Sequence, residues 1–76
     1  MTSMQAIYVK LTDEVVDVWR PVETEHVQGD IFRISEQPYD RTTEAWEFEP
    51  GDVVVTELVQ SSDGPILAAV RLGLEP

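Results

Sequence analysis

The sequence predicts an all-β chain folded as one small barrel, and three observations carry that prediction. Apolar residues alternate with polar ones along most of the chain, the pattern of half-buried strands. Turn-forming sets recur between those runs: Gln28-Gly29-Asp30, Pro50-Gly51 and Ser61-Ser62-Asp63-Gly64-Pro65. No segment sustains a 3.6-residue apolar period with caps at its ends, so at most one helical turn is expected, around Thr42 to Ala45.

Taken in order, Gln5 to Leu11 sets Ile7, Val9 and Leu11 against Ala6, Tyr8 and Lys10, the alternation of a first strand. Thr12-Asp13-Glu14 breaks it. From Val15 the alternation resumes, with Val16, Val18, Arg20 and Val22 on one face and Val15, Asp17, Trp19 and Pro21 on the other. Proline cannot donate to a ladder, so Pro21 marks an edge, a bulge or a bend. Glu23 to Val27 continues extended, Gln28-Gly29-Asp30 turns, and Ile31 to Ser35 returns with Phe32 and Ile34 opposite Ile31 and Arg33. Glu36 to Glu44 is the longest loop. Ala45 to Glu49 is expected as a strand with Trp46 and Phe48 on its core face, ending at a type II turn on Pro50-Gly51. Asp52 to Gln60 and Ile66 to Leu72 form the closing hairpin, the latter with Ile66, Ala68, Val70 and Leu72 inward. The runs Asp17 to Glu23 and Trp46 to Val55 hold both tryptophans and are expected to face one another across the barrel.

With 76 residues there is room for one domain, with the ordered barrel spanning about 5–72 and frayed termini on either side. A chain of this size buries only about 60% of the surface it exposes when unfolded, so nearly every large apolar side chain must contribute to one core. Five or six short strands in this length give a small Src-homology-3-like barrel. An OB-like barrel is the alternative, though it calls for a longer chain and a helix between strands.

Five basic residues stand against fifteen acidic ones, a formal net charge of −10. Lys10, Arg20, Arg33, Arg41 and Arg71 are too few and too scattered to track a phosphate backbone, which argues against nucleic acid and against an anionic membrane. The same charge suits a basic protein partner, although solubility alone also accounts for it. Cysteine is absent, so neither a disulfide framework nor a thiolate metal site is available. The first residues, Met1-Thr2-Ser3-Met4-Gln5, lack the basic-then-apolar order of a secretory signal, and no apolar run approaches the ~18 residues of a membrane span. A soluble cytoplasmic protein is the expectation.

The strings Asp17-Val18-Trp19-Arg20-Pro21-Val22 and Trp46-Glu47-Phe48-Glu49-Pro50-Gly51 resemble motifs of a group of short bacterial proteins that have no assigned function. The resemblance covers roughly Tyr8 to Val55. It implies a shared small fold and a bacterial source, and it brings no functional residues. A looser similarity, through a Trp-x-Pro strand and a segment leading to Gly-Asp, runs to Tudor- and KOW-type barrels. Those bind modified side chains or nucleic acid, and this chain lacks the basic surface of the second kind.

No constellation for catalysis stands out. His26, flanked by Glu23 and Glu25, is a lone imidazole without metal-ligand spacing, so no metal and no cofactor are expected. Carboxylates are plentiful, but a small barrel fills its interior with side chains and leaves little room for a cleft that would shift their pKa values. No enzymatic activity is expected. Arg20 and Arg33 are expected to pair with Asp17, Glu23 or Glu47.

The expected role is a protein-binding module. Trp19, with Tyr39 beside it and Glu36, Asp40 and Glu44 around them, would give an aromatic and acidic patch, and tryptophan and tyrosine dominate such contacts. The bland alternative packs Trp19 beneath the loop as part of a satellite cluster. A homo-oligomer formed by strand edges at Ile66 to Leu72 or near Pro21 is the competing role.

Overall fold

The computed structural model describes residues 4–73 and contains five strands and no helix. β1 (Met4–Lys10), β2 (Trp19–Gln28), β3 (Ile31–Ile34), β4 (Val53–Ser61) and β5 (Gly64–Leu72) follow one another around a closed barrel in chain order. Each consecutive pair is antiparallel. In such a meander odd-numbered strands share a direction, so the closing contact between β1 and β5 must be parallel. It is, through the single pair Tyr8↔Ala68. The result is a small Src-homology-3-like barrel. Sequential strand order with no intervening helix sets it apart from the Greek-key order of an OB barrel.

The core follows from the alternation. Ile7 and Val9 of β1, Val22 of β2, Phe32 and Ile34 of β3, Val54 of β4 and Ala69 of β5 point inward, and Leu11, Trp46 and Phe48 close the barrel from its loops. Ile7 lies opposite Val22 and Phe32 opposite Val54, so the apolar faces of neighbouring strands coincide. Two threonines are buried with them. The Thr24 hydroxyl donates to the Gln5 carbonyl (2.7 Å) and the Thr56 hydroxyl to that of Asp30 (3.0 Å), so neither polar group is left unpaired.

Four elements differ from the sequence expectation. Val15 and Val16 are not in a strand: β2 begins only at Trp19, and the pair sits in the β1–β2 loop. Trp46 and Phe48 are buried as expected, but 45–49 is no strand. It makes one isolated bridge, Leu11↔Trp46, and then bends toward Pro50. In β5 the register slips between Val55 and Thr56, leaving Val70 as an extra residue. The bulge shifts the facing of the residues before it, so Leu67 and Ala69 pack with the core cluster. Ala68 is fully buried too and pairs with Tyr8 across the seam, while Leu72, opposite the buried Val54, is exposed. Gly73, expected in the frayed tail, is held to the barrel: its N–H donates to the Val53 carbonyl (2.8 Å). Of the frayed ends expected on either side of 5–72, residues 1–3 and 74–76 lie outside the described residues, while Met4 begins β1.

The Pro50-Gly51 turn forms as anticipated. Gly51 has φ +94° and the Asp52 N–H donates to the Glu49 carbonyl (3.0 Å). The one turn expected around Thr42 to Ala45 occurs over 40–44, where the Glu44 N–H donates to the Asp40 carbonyl (3.1 Å), and it does not extend into a helix.

Candidate functional site

The loop from 35 to 52 is built on its own residues. Gln37 uses its side-chain amide as a substitute for strand backbone: Oε1 accepts the Glu23 N–H (3.1 Å) and Nε2 donates to the Glu23 carbonyl (3.0 Å). Tyr39 stacks on Trp46 with centroids 4.3 Å apart, and its hydroxyl accepts the Trp46 backbone N–H (2.7 Å). The Arg41 guanidinium covers the other face of that tyrosine (4.5 Å) and pairs with Glu49 (3.2 Å), which raises its pKa further above the usual arginine range. Glu44 accepts the Trp46 indole N–H (2.9 Å) and lies 3.7 Å from Arg20.

These contacts place four of the five residues expected to bind a partner. Tyr39 is half-buried and committed to Trp46. Glu44 is committed to the Trp46 indole and to Arg20. The Asp40 carboxylate accepts from the hydroxyl and the backbone N–H of Thr42, which holds its pKa below the ordinary 3.8. Glu36 is exposed, near Gly51. The fifth, Trp19, lies elsewhere: it lines a groove to which no residue of 36–44 contributes. The arginines also pair differently from expectation. Arg33 meets Glu25 (3.4 Å) because the two stand directly opposite in the β2–β3 register, and Asp17 takes Lys10 (3.0 Å) rather than Arg20.

That groove is the most distinctive surface. It runs across the β1–β5 seam on the outside of the barrel, has a volume of about 260 Å³, and is lined by Tyr8, Val18, Trp19 and Ile66 with Asp17 at one side and Ser61, Ser62 and Asp63 at the other. Register explains the aromatic floor. Tyr8 pairs with Pro21 and Lys10 with Trp19, so the two rings are diagonal neighbours on the outer face, within reach of one another. Both are half-buried. Two larger grooves carry no aromatic ring. One lies between Ala6, Pro21 and Pro38, where the Gln37 amide is engaged with the Glu23 backbone and Arg20 is paired with Glu44. The other lies beside Gly29 and Arg71, and Arg71 is paired with Glu57 (3.3 Å).

Sequence reasoning singled out Trp19 and missed Tyr8, Asp17, Asp63 and Ile66. The signal for Tyr8 was present, since it alternates against the inward Ile7 and Val9. Bringing Ile66 and Asp63 beside it required the parallel closure, which only the folded barrel supplies.

His26 is exposed on β2, its Nε2 donating to the Gly29 carbonyl (2.9 Å) and its ring 5.0 Å from Phe32. Among the described residues no three histidine or carboxylate side chains converge as metal ligands, and no helix is long and apolar enough to cross a membrane. Comparison of the chain with family models, with curated proteins and with solved structures found no match.

Proposed function

We propose that this barrel is a non-enzymatic protein-binding module for a basic partner, and that the Tyr8/Trp19 groove receives a lysine or arginine side chain of that partner. The observation that carries the reading is the pairing of two outward aromatic rings with carboxylates at both ends of one groove. An aromatic face attracts a cation, and the attraction grows where the rings are partly desolvated. Asp63 adds a directional charge, Asp17 is shared with Lys10 (3.0 Å), and the net charge of −10 steers a basic partner from a distance. A volume of about 260 Å³ suits one side chain rather than a substrate.

The test is capture from a lysate of the source cell with the wild-type chain and with Trp19→Ala as baits, washed at low and then at high salt. A basic protein held by the wild type, released by salt and missing from the variant is expected. The same retained set on both baits would refute the assignment of the site.

Self-association is the second reading, and one observation favours it. β5 meets β1 at a single residue pair, and Leu72 near its end is exposed. A solution mass that does not change with concentration and equals one chain would exclude it.

A further inference from the structure

The β1–β2 loop carries a feature that the groove does not explain. Val15 is 103% and Val16 67% exposed, while Asp13, Glu14 and Asp17 surround them. Neither valine belongs to the core cluster, so the core would lose nothing if both were polar, and loop tips are ordinarily polar. The loop that presents them is pinned at its stem. The Leu11 N–H donates to the Val18 carbonyl (2.9 Å), the Thr12 N–H to that of Ala45 (2.8 Å), and Lys10 holds Asp17 (3.0 Å). Asp17 and Val18, the two residues that follow the pair, already line the groove. The valines are therefore an apolar extension of the same surface.

Charge selects what covers them. A second copy of this chain would bring the same three loop carboxylates against its own acidic surface, and an anionic membrane would be repelled. A positively charged segment meets no such obstacle.

We infer that the partner segment is of mixed chemistry, with an aliphatic side chain close to its cation: the cation in the Tyr8/Trp19 groove, the aliphatic group on Val15 and Val16. This rests on the function proposed above and adds a specificity to it. The groove alone would accept any basic segment, and its attraction would fade with salt. Apolar contact on the loop tip resists salt and favours basic segments that also carry leucine, isoleucine or valine.

The test uses two synthetic peptides of equal length and equal positive charge, one alternating arginine with leucine and the other arginine with serine. Calorimetric titrations compare the wild type, Val15→Ser/Val16→Ser and Trp19→Ala at low and high salt. The leucine peptide should bind the wild type roughly fivefold more tightly than the serine peptide. That advantage should persist at high salt and vanish in the double variant, whose affinity for the serine peptide is unchanged. Because the valines lie outside the core cluster, the double variant should keep the wild-type melting temperature. Equal affinity for the two peptides, or an advantage that survives in the double variant, overturns the inference and leaves the groove intact if Trp19→Ala still weakens both. Failure of both peptides to bind the wild type overturns the groove reading, and this inference with it.

Discussion

Tyr39 lies almost flat on Trp46, at 17° between ring planes, and the same tyrosine accepts the Trp46 backbone N–H through its hydroxyl. One side chain thus both covers the buried indole and satisfies the backbone of the segment that carries it. This explains how 35–52 is ordered without a strand of its own, and why Tyr39 is occupied by the fold.

Tyr39→Phe keeps the stack and removes the acceptor. The half-buried Trp46 N–H is then unpaired, and urea unfolding should show a loss of about 1 kcal/mol. An unchanged midpoint would mean that water replaces the hydroxyl without cost.

Gly51 has φ +94°, where a side chain is strained, and a Cβ there would also meet the Glu36 carboxylate at 3.5 Å. Gly51→Ala should therefore destabilise the barrel by ~1 kcal/mol or more, chiefly through the backbone. The same change at an unstrained surface site should cost little.

Asp40 gives the loop an acid dependence. Its folded pKa lies below the ordinary 3.8, because the Thr42 hydroxyl and backbone N–H stabilise its anion. The unfolded chain therefore binds this proton more tightly than the folded one. The stabilisation is present above 3.8 and is lost as pH falls through the folded value. The stability difference between wild type and Asp40→Ala should be constant at neutral pH and shrink in the acid range. A difference that stays constant to low pH would contradict the assignment.

Lys10 is a cation already beside the groove, held by Asp17 at 3.0 Å. Lys10→Met frees that carboxylate and removes a repulsive neighbour for an incoming cation. A basic peptide should bind the variant more tightly, by up to about fivefold at low salt, with the difference fading at high salt. Asp17→Asn should act in the opposite direction.

Much of the fold was legible in the residues. The alternation around Ile7, Val22 and Phe32 placed the inner face, and Gly29, Gly51 and Gly64 marked the turns, each with positive φ. What was not legible depended on long-range pairing. The Val70 bulge leaves no local trace, so the alternation of β5 pointed to Ile66 where Leu67 and Ala69 join the core cluster, although Ala68 is buried as the alternation implied. Trp46 and Phe48 alternate like a strand, yet among the described residues their segment makes a single bridge, Leu11↔Trp46, and no ladder. Val15 and Val16 read as strand because apolar alternation normally means burial, and here it does not. That departure falls at the surface proposed to bind, where local patterning is least bound to serve the fold.

The account rests on the groove between Tyr8 and Trp19, and nuclear magnetic resonance tests it most directly. The serine-containing basic peptide would be titrated into the isotope-labelled protein at low salt while the indole N–H signals of Trp19 and Trp46 are followed together with the ring of Tyr8. The predicted result is a saturable shift of the Trp19 and Tyr8 signals, with Trp46 unmoved and the effect weakened by salt. Shifts confined to 36–44, with Trp19 and Tyr8 unchanged, would contradict it.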